Sequence, residues 1–220
     1  MKKDISLTSF QQTVLEFFFE QPIGQNYFLT GGTALAGFYF NHRKSIDLDF
    51  FTFEDIEINF IEEILTDAGK QTNTTMDHRV ATKNFHVFFL TGKGKELKID
   101  FVREQPVHFG QIKKFGRIRV DSIENIGSNK MTAILGRTEA KDFIDLYFII
   151  QRKIFTFEKL LQDAKKKDLG LSDFYFAHML LEVNNLKDFP QILVPFDRDR
   201  MREYFINQAN KLLLKAKPPL

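Results

Sequence analysis

Apolar and polar positions along the chain follow two regimes that change over near residue 120. Residues 8–20 carry Val14, Leu15, Phe17, Phe18 and Phe19 at helical spacing behind a Thr8 or Ser9 cap, which predicts a first helix. The continuous apolar run Tyr27–Thr30 predicts a buried strand. Residues 33–40 predict a short apolar helix behind a Gly31–Gly32 turn, and 46–51 a second strand. Ile56, Phe60, Ile61, Ile64 and Leu65 give helical spacing over 55–68, with Gly69 as its end. The period then shortens. Residues 71–79, 84–91, 96–102 and 116–120 alternate or run apolar and predict strands, and the Gly-Lys-Gly at 92–94 makes a hairpin of the middle pair. From Ser122 the pattern is helical almost to the end, with breaks near Gly127, Gly136, Gly170 and Pro190. The expectation is an α+β protein: an N-terminal α+β domain over 1–120 and a helical domain over 121–220. No internal repeat or long linker interrupts it.

Composition narrows the class. A chain of 220 residues, 43% hydrophobic and 27% charged, can bury a sizeable core and is not of the disordered type. Its net charge of +2 argues against a grossly basic nucleic-acid wrapper and leaves room only for local basic faces, such as Lys165–Lys167 and 211–215. Zero cysteines exclude disulfides, thiolate zinc sites and a cysteine nucleophile, and fit a cytoplasmic location. The N-terminal stretch lacks the apolar core of a signal peptide, and no run approaches the ~20 apolar residues of a membrane helix. The 26 Phe and absent Trp point to a phenylalanine core.

The chemistry concentrates in two stretches. In the first, 28–51, a strand-like run enters Gly31 and Gly32, and Thr33 opens a helix. A glycine turn at a helix start offers backbone N–H groups and a positive dipole end to a phosphate. Asp47 and Asp49 alternate along the next strand, so both point to one face and can hold one divalent ion. Ser45 shares that face and could donate to a phosphate oxygen; Arg43 could reach one from the end of the preceding helix. This suggests a grip on a nucleoside triphosphate and its Mg²⁺. Asp100, between Ile99 and Phe101, is either a third ligand or an edge-strand surface acid. In the second stretch, 129–150, Lys130, Arg137 and Lys141 share a helix face if Gly136 does not break it. Asp142 and Asp145 sit in an apolar segment and ask for cationic partners, either as site acids or as a structural salt bridge.

Gly-Gly-Thr-Ala-Leu at 31–35, His-Arg-x-Ser-x-Asp-x-Asp-Phe at 42–50 and Lys-x6-Arg-x3-Lys-Asp-x2-Asp-Leu at 130–146 together resemble the AbiEii/AbiGii-type toxin family of nucleotidyltransferases, within the DNA polymerase β-like superfamily. The resemblance implies a mixed sheet flanked by helices, followed by a helical domain that completes the active-site cleft. It implies that Gly31, Gly32 and Thr33 hold the triphosphate, that Asp47 and Asp49 bind Mg²⁺, with Asp100 as a third ligand, and that Ser45 lines the same pocket. Lys130 would contact the phosphates, with Arg137 beside it, and Asp142 or Asp145 would complete the site. It further implies the enzyme half of a toxin–antitoxin or phage-abortive system, with an antitoxin as partner. Several members of that family attach nucleotides to the 3′ end of tRNA, so RNA is the expected acceptor. A small-molecule, antibiotic-type nucleotidyltransferase and a catalytically silent nucleotide-binding module are the alternatives; the intact Asp47/Asp49 pair speaks against the second.

Overall fold

The computed structural model describes residues 7–215. Helix α1 (Ser9–Glu20) opens with a capping box, in which the Thr8 hydroxyl accepts from the Gln11 N–H and the Gln11 side chain accepts from the Thr8 N–H. A 3₁₀ turn, Pro22–Asn26, delivers the chain to strand β1 (Tyr27–Thr30). The chain then passes straight into helix. Helix α2 (Gly31–Ala34) continues as a π-helical turn over Leu35–Phe40, and Asn41 ends it in the left-handed region at φ 49°. The two glycines therefore form the first turn of the helix and do not precede it.

Strand β2 (Leu48–Thr52), helix α3 (Ile58–Thr72) and strands β3 (Thr75–Ala81), β4 (Phe85–Gly92), β5 (Lys95–Arg103), β6 (Lys113–Phe115) and β7 (Ile118–Val120) follow. The strands form one mixed sheet in the order β3-β4-β5-β2-β1-β7-β6. β1 runs antiparallel to β2 and parallel to β7, and β2 runs parallel to β5.

Phenylalanine fills the core. Phe50 and Phe101 are register partners across β2 and β5, and their rings stack at 5.0 Å. Phe18 of α1 lies 4.5 Å from Phe50, and Tyr27 and Phe88 close on Phe101 edge-on. Because strand side chains alternate, burying Phe50 and Phe101 under α1 sends the preceding pair, Asp49 and Asp100, to the other face. The core thus places the carboxylates.

The chain divides after Ser122 into two compact units, not at 120, because Asp121 belongs with the sheet: its N–H donates to the Leu29 carbonyl at 2.9 Å. The second unit is helical: α4 (Ile123–Gly136), α5 (Ala140–Gln151), α6 (Phe157–Lys167), α7 (Asp173–Leu181) and α8 (Arg198–Lys215), with a 3₁₀ turn at Glu182–Asn185. Phe143 of α5 meets Phe205 of α8 edge-on at 5.2 Å. No helix among the described residues is long and apolar enough to cross a membrane.

Three elements differ from the sequence reading. Helix α3 passes Gly69 and stops at Asn73, left-handed at φ 56°, with the Thr74 N–H returning to the Gly69 carbonyl at 2.8 Å. The stretch 116–120 is the second half of a hairpin, β6–β7, which turns at Gly116. Gly127 lies inside α4 and breaks nothing, since Leu160 of α6 packs over it.

Candidate functional site

The site of the first unit is built where β1 ends. Thr30 stands at the N-cap of α2, but its hydroxyl donates to Asp121 Oδ2 at 2.6 Å and does not cap the helix. The positive dipole end of the helix thus lies beside the Asp49 carboxylate and not under a Thr30 cap. Gly31 has φ +69°, and a Cβ added to it would run into Asp49 Oδ2. A Cβ on Gly32 would strike the Arg43 guanidinium and come within 3.0 Å of Ser45 Oγ. The glycines thus make room for Asp49, Arg43 and Ser45. Thr33 Oγ1 donates to the Asp47 carbonyl, and Gln11 Nε2 holds the Ser45 carbonyl at 2.9 Å. Gly31, Gly32, Thr33, Ser45, Asp47 and Asp49 are brought together. Arg43 belongs with them but not as a surface cation: it is buried, Nη1 donates to the Lys44 carbonyl at 2.9 Å, and it braces the turn from within. His42 beside it is buried too.

β2 begins at Leu48 and not at 46, so Asp49 lies on the strand and Asp47 in the irregular chain just before it. Asp49 is level with Asp100 of β5. Asp100 is no edge-strand acid, since β5 lies between β4 and β2 and Asp100 is buried. It accepts an ion pair from Lys98 Nζ at 2.6 Å. Burial pulls the Lys98 ammonium down, but its bond to Asp100 and the charges of Asp100, Asp47 and Asp49 outweigh burial and hold its pKa above the ordinary value. All three carboxylates therefore act on one cation. Oxygen-only carboxylate donors suit Mg²⁺, and the convergence on a positive charge fits such an ion. As they stand beside Lys98, Asp47, Asp49 and Asp100 do not form a ready metal site: among the described residues no three or more His, Cys, Asp or Glu side chains are grouped so as to hold a metal ion.

In the helical unit, α4 ends at Gly136, so Lys130, Arg137 and Lys141 do not share one helix face. The chain bends back instead, and three of the candidate residues meet. Lys130 Nζ lies 2.7 Å from Asp142 and 2.7 Å from Asp145, with all three buried. Arg137 Nε adds a 2.8 Å bond to Asp142 Oδ2 while its side chain stays 48% exposed. Burial alone would raise the Asp142 carboxyl, but Lys130 and Arg137 hold it below the usual carboxylate range. Lys141 stands apart and pairs with Glu139 at 2.9 Å.

Two residues with a place in the site escaped the sequence reading. Lys98 was legible in principle, two positions before Asp100 and so on its face. Asp121 carried no signal beyond following a short strand. It is fully buried and accepts from Thr30, from His108 at 2.8 Å and from the Ser122 N–H at 2.7 Å. Its carbonyl accepts from the Tyr39 hydroxyl, whose pKa burial and Asp121 push up to about 12. Asp121 thereby ties the end of β1 to the end of β7.

Comparison with known proteins bears on this arrangement. The family model described as nucleotidyl transferase AbiEii toxin, type IV TA system, matches residues 14–211. The uncharacterized Aquifex aeolicus protein aq_aa25 is 26% identical over 212 residues, which cover 90% of this chain and 97% of that one. The fold is similar to the crystal structure of a proposed nucleotidyltransferase from H. pylori, with TM-score 0.63 and 18% identity over 94% of this chain and 92% of that one. It is also similar to JHP933 from Helicobacter pylori, with TM-score 0.59 and 17% identity over 94% and 90% of the two chains.

Proposed function

The chain belongs to the AbiEii toxin family of nucleotidyltransferases, of type IV toxin–antitoxin systems, and we propose that it transfers NMP from a nucleoside triphosphate to a hydroxyl of an RNA acceptor, a tRNA 3′ end, with Mg²⁺. The observation that carries this reading is the seat of Asp49 against the helix start at Gly31, with Asp100 in register beside it. The N–H groups of the helix start would take triphosphate oxygens, helped by the Ser45 hydroxyl beside Gly32. Asp47, Asp49 and Asp100 would hold the metal. A metal held there would supply positive charge to the triphosphate; the acceptor oxygen bonds to the α-phosphorus as the bond from it to the β-phosphate oxygen breaks, and pyrophosphate leaves. Thr33 and Gln11, through the Asp47 and Ser45 carbonyls, hold the carboxylate-bearing segment in place. An antitoxin is the expected genetic partner.

The test is label transfer. The purified chain is incubated with Mg²⁺, total cellular RNA and each α-labelled NTP in turn. Label should enter RNA from at least one NTP, and Asp49→Ala, which removes a carboxylate outside the core, should abolish it while leaving the fold intact. Label found only in a small hydroxylated acceptor would overturn the RNA assignment. Near-normal turnover in Asp49→Ala would overturn the metal assignment.

A further inference from the structure

Lys98 holds a position that the proposed reaction does not by itself require. It precedes Asp100 by two residues on β5, so both side chains share a face, and Nζ sits 2.6 Å from Asp100 Oδ2. Leu48 and Ile99 open the parallel register of β2 and β5; the residues just before them are Asp47 and Lys98, and the pair just after is Asp49 and Asp100. Three carboxylates and one ammonium therefore occupy corresponding places on two neighbouring chains. A lysine on a partly exposed strand ordinarily extends its ammonium into water. Here only 36% of the side chain is exposed, and the ammonium turns onto a carboxylate that is itself only 12% exposed. Asp49 and Asp100 are neighbours across the two strands and their like charges repel, and one positive charge beside them relieves the repulsion.

We propose that Lys98 is a resident counter-ion of the Asp47, Asp49 and Asp100 group, which a divalent ion must displace from Asp100 before all three carboxylates can serve as ligands. The inference rests on the metal reading given above. Lys98 keeps the carboxylate group together in the metal-free chain and weakens its affinity for an ion arriving alone. The flexible four-carbon stem allows the ammonium to swing aside without a backbone change. An ion arriving with a triphosphate brings extra negative charge, which offsets the lysine. Lys98 thereby couples metal binding to nucleotide binding.

The experiment is a Mn²⁺ titration of the full chain without nucleotide, following the paramagnetic resonance of the free aqueous ion. Lys98→Met removes the charge and keeps the stem, and should tighten Mn²⁺ binding by about tenfold or more. Lys98→Gln repeats the test with a polar side chain, in case the thioether disturbs packing. Lys98→Arg keeps the charge and should stay near the native affinity. Asp49→Asn should remove the binding in every background. In thermal melts without metal, Lys98→Met should unfold earlier than the native chain, and Mn²⁺ should restore more stability to it than to the native chain. Equal Mn²⁺ affinity in the native and Lys98→Met chains, both lost in Asp49→Asn, would overturn the counter-ion role and leave the metal assignment standing. Absence of any Mn²⁺ binding that Asp49→Asn removes would overturn the metal assignment, and the counter-ion role with it.

Discussion

At the residue scale the decisive feature is the absence of a side chain. Gly31 and Gly94 both have positive φ, +69° and +74°, but a Cβ at Gly94 meets nothing within 4 Å while one at Gly31 meets Asp49 Oδ2. The two substitutions to alanine separate backbone strain from displacement. Each should cost about 1 kcal/mol of stability from the left-handed backbone alone, read as a shift of the urea midpoint. Gly94→Ala should leave NMP transfer unchanged. Gly31→Ala should also push Asp49 aside and lower transfer about 100-fold, since misplacing a reacting group by about an ångström has that effect. Equal transfer rates in the two variants would show that Asp49 is not positioned through Gly31. That Asp47, Asp49, Gly31 and Gly32 lie together was legible because a glycine turn between two short apolar runs is a local pattern. The burial of Arg43 was not, because it depends on how 41–47 folds back over Gly32, a contact eleven residues away in sequence that no period encodes.

The elements show the same division. Sequence periodicity located α1, β1, β4 and β5 to within a residue or so, and the apolar alternation of β5 contained Asp100. It could not tell whether a glycine ends a helix. Gly69 and Gly127 continue theirs, and Gly136 is the last residue of α4, so the cationic face expected over 130–141 became a folded-back ion group. That group carries a pH prediction. The folded-state pKa of Asp142 is depressed, so its stabilisation is complete above the unfolded value of about 3.9 and is lost as pH falls through the folded value. Native stability should therefore change little on this account between pH 7 and 5. Lys130→Met leaves buried carboxylates short of a cation and should cost roughly 3–5 kcal/mol at pH 7. Burial should then raise the carboxyl pKa values above the unfolded value, the folded state should bind the extra protons, and the variant should gain stability from pH 7 to 5. Denaturant midpoints followed by circular dichroism at the two pH values decide it. A variant whose midpoint falls on acidification would show that Lys130 does not neutralise Asp142 and Asp145.

For the whole molecule, charge decides what kind of acceptor is plausible. The chain carries 31 cations and 29 acids, and the structure spends many of the cations locally: Lys98 on Asp100, Lys130 on Asp142 and Asp145, Lys141 on Glu139, Lys159 on Glu124 and Asp163. An RNA acceptor must then be held by a few phosphate contacts and not by a broad basic surface. Each contact to single-stranded RNA contributes about −0.7 to the slope of log affinity against log salt, so two to four contacts predict a slope of about −1.5 to −3. Arg43 is buried and should contribute nothing to that slope. Lys141 is partly exposed and paired only at the surface, where such pairs are worth roughly 0–1 kcal/mol. Lys141→Ala should therefore leave the fold unchanged and make the slope shallower by about 0.7 if this lysine touches the strand. Filter binding of labelled tRNA to the Asp49→Ala chain between 50 and 300 mM salt measures both slopes without turnover. In bacteria, the native chain should slow growth and Asp47→Ala should not. Acceptor binding indifferent to salt, with growth untouched, would leave the small-molecule transferase as the reading of this site.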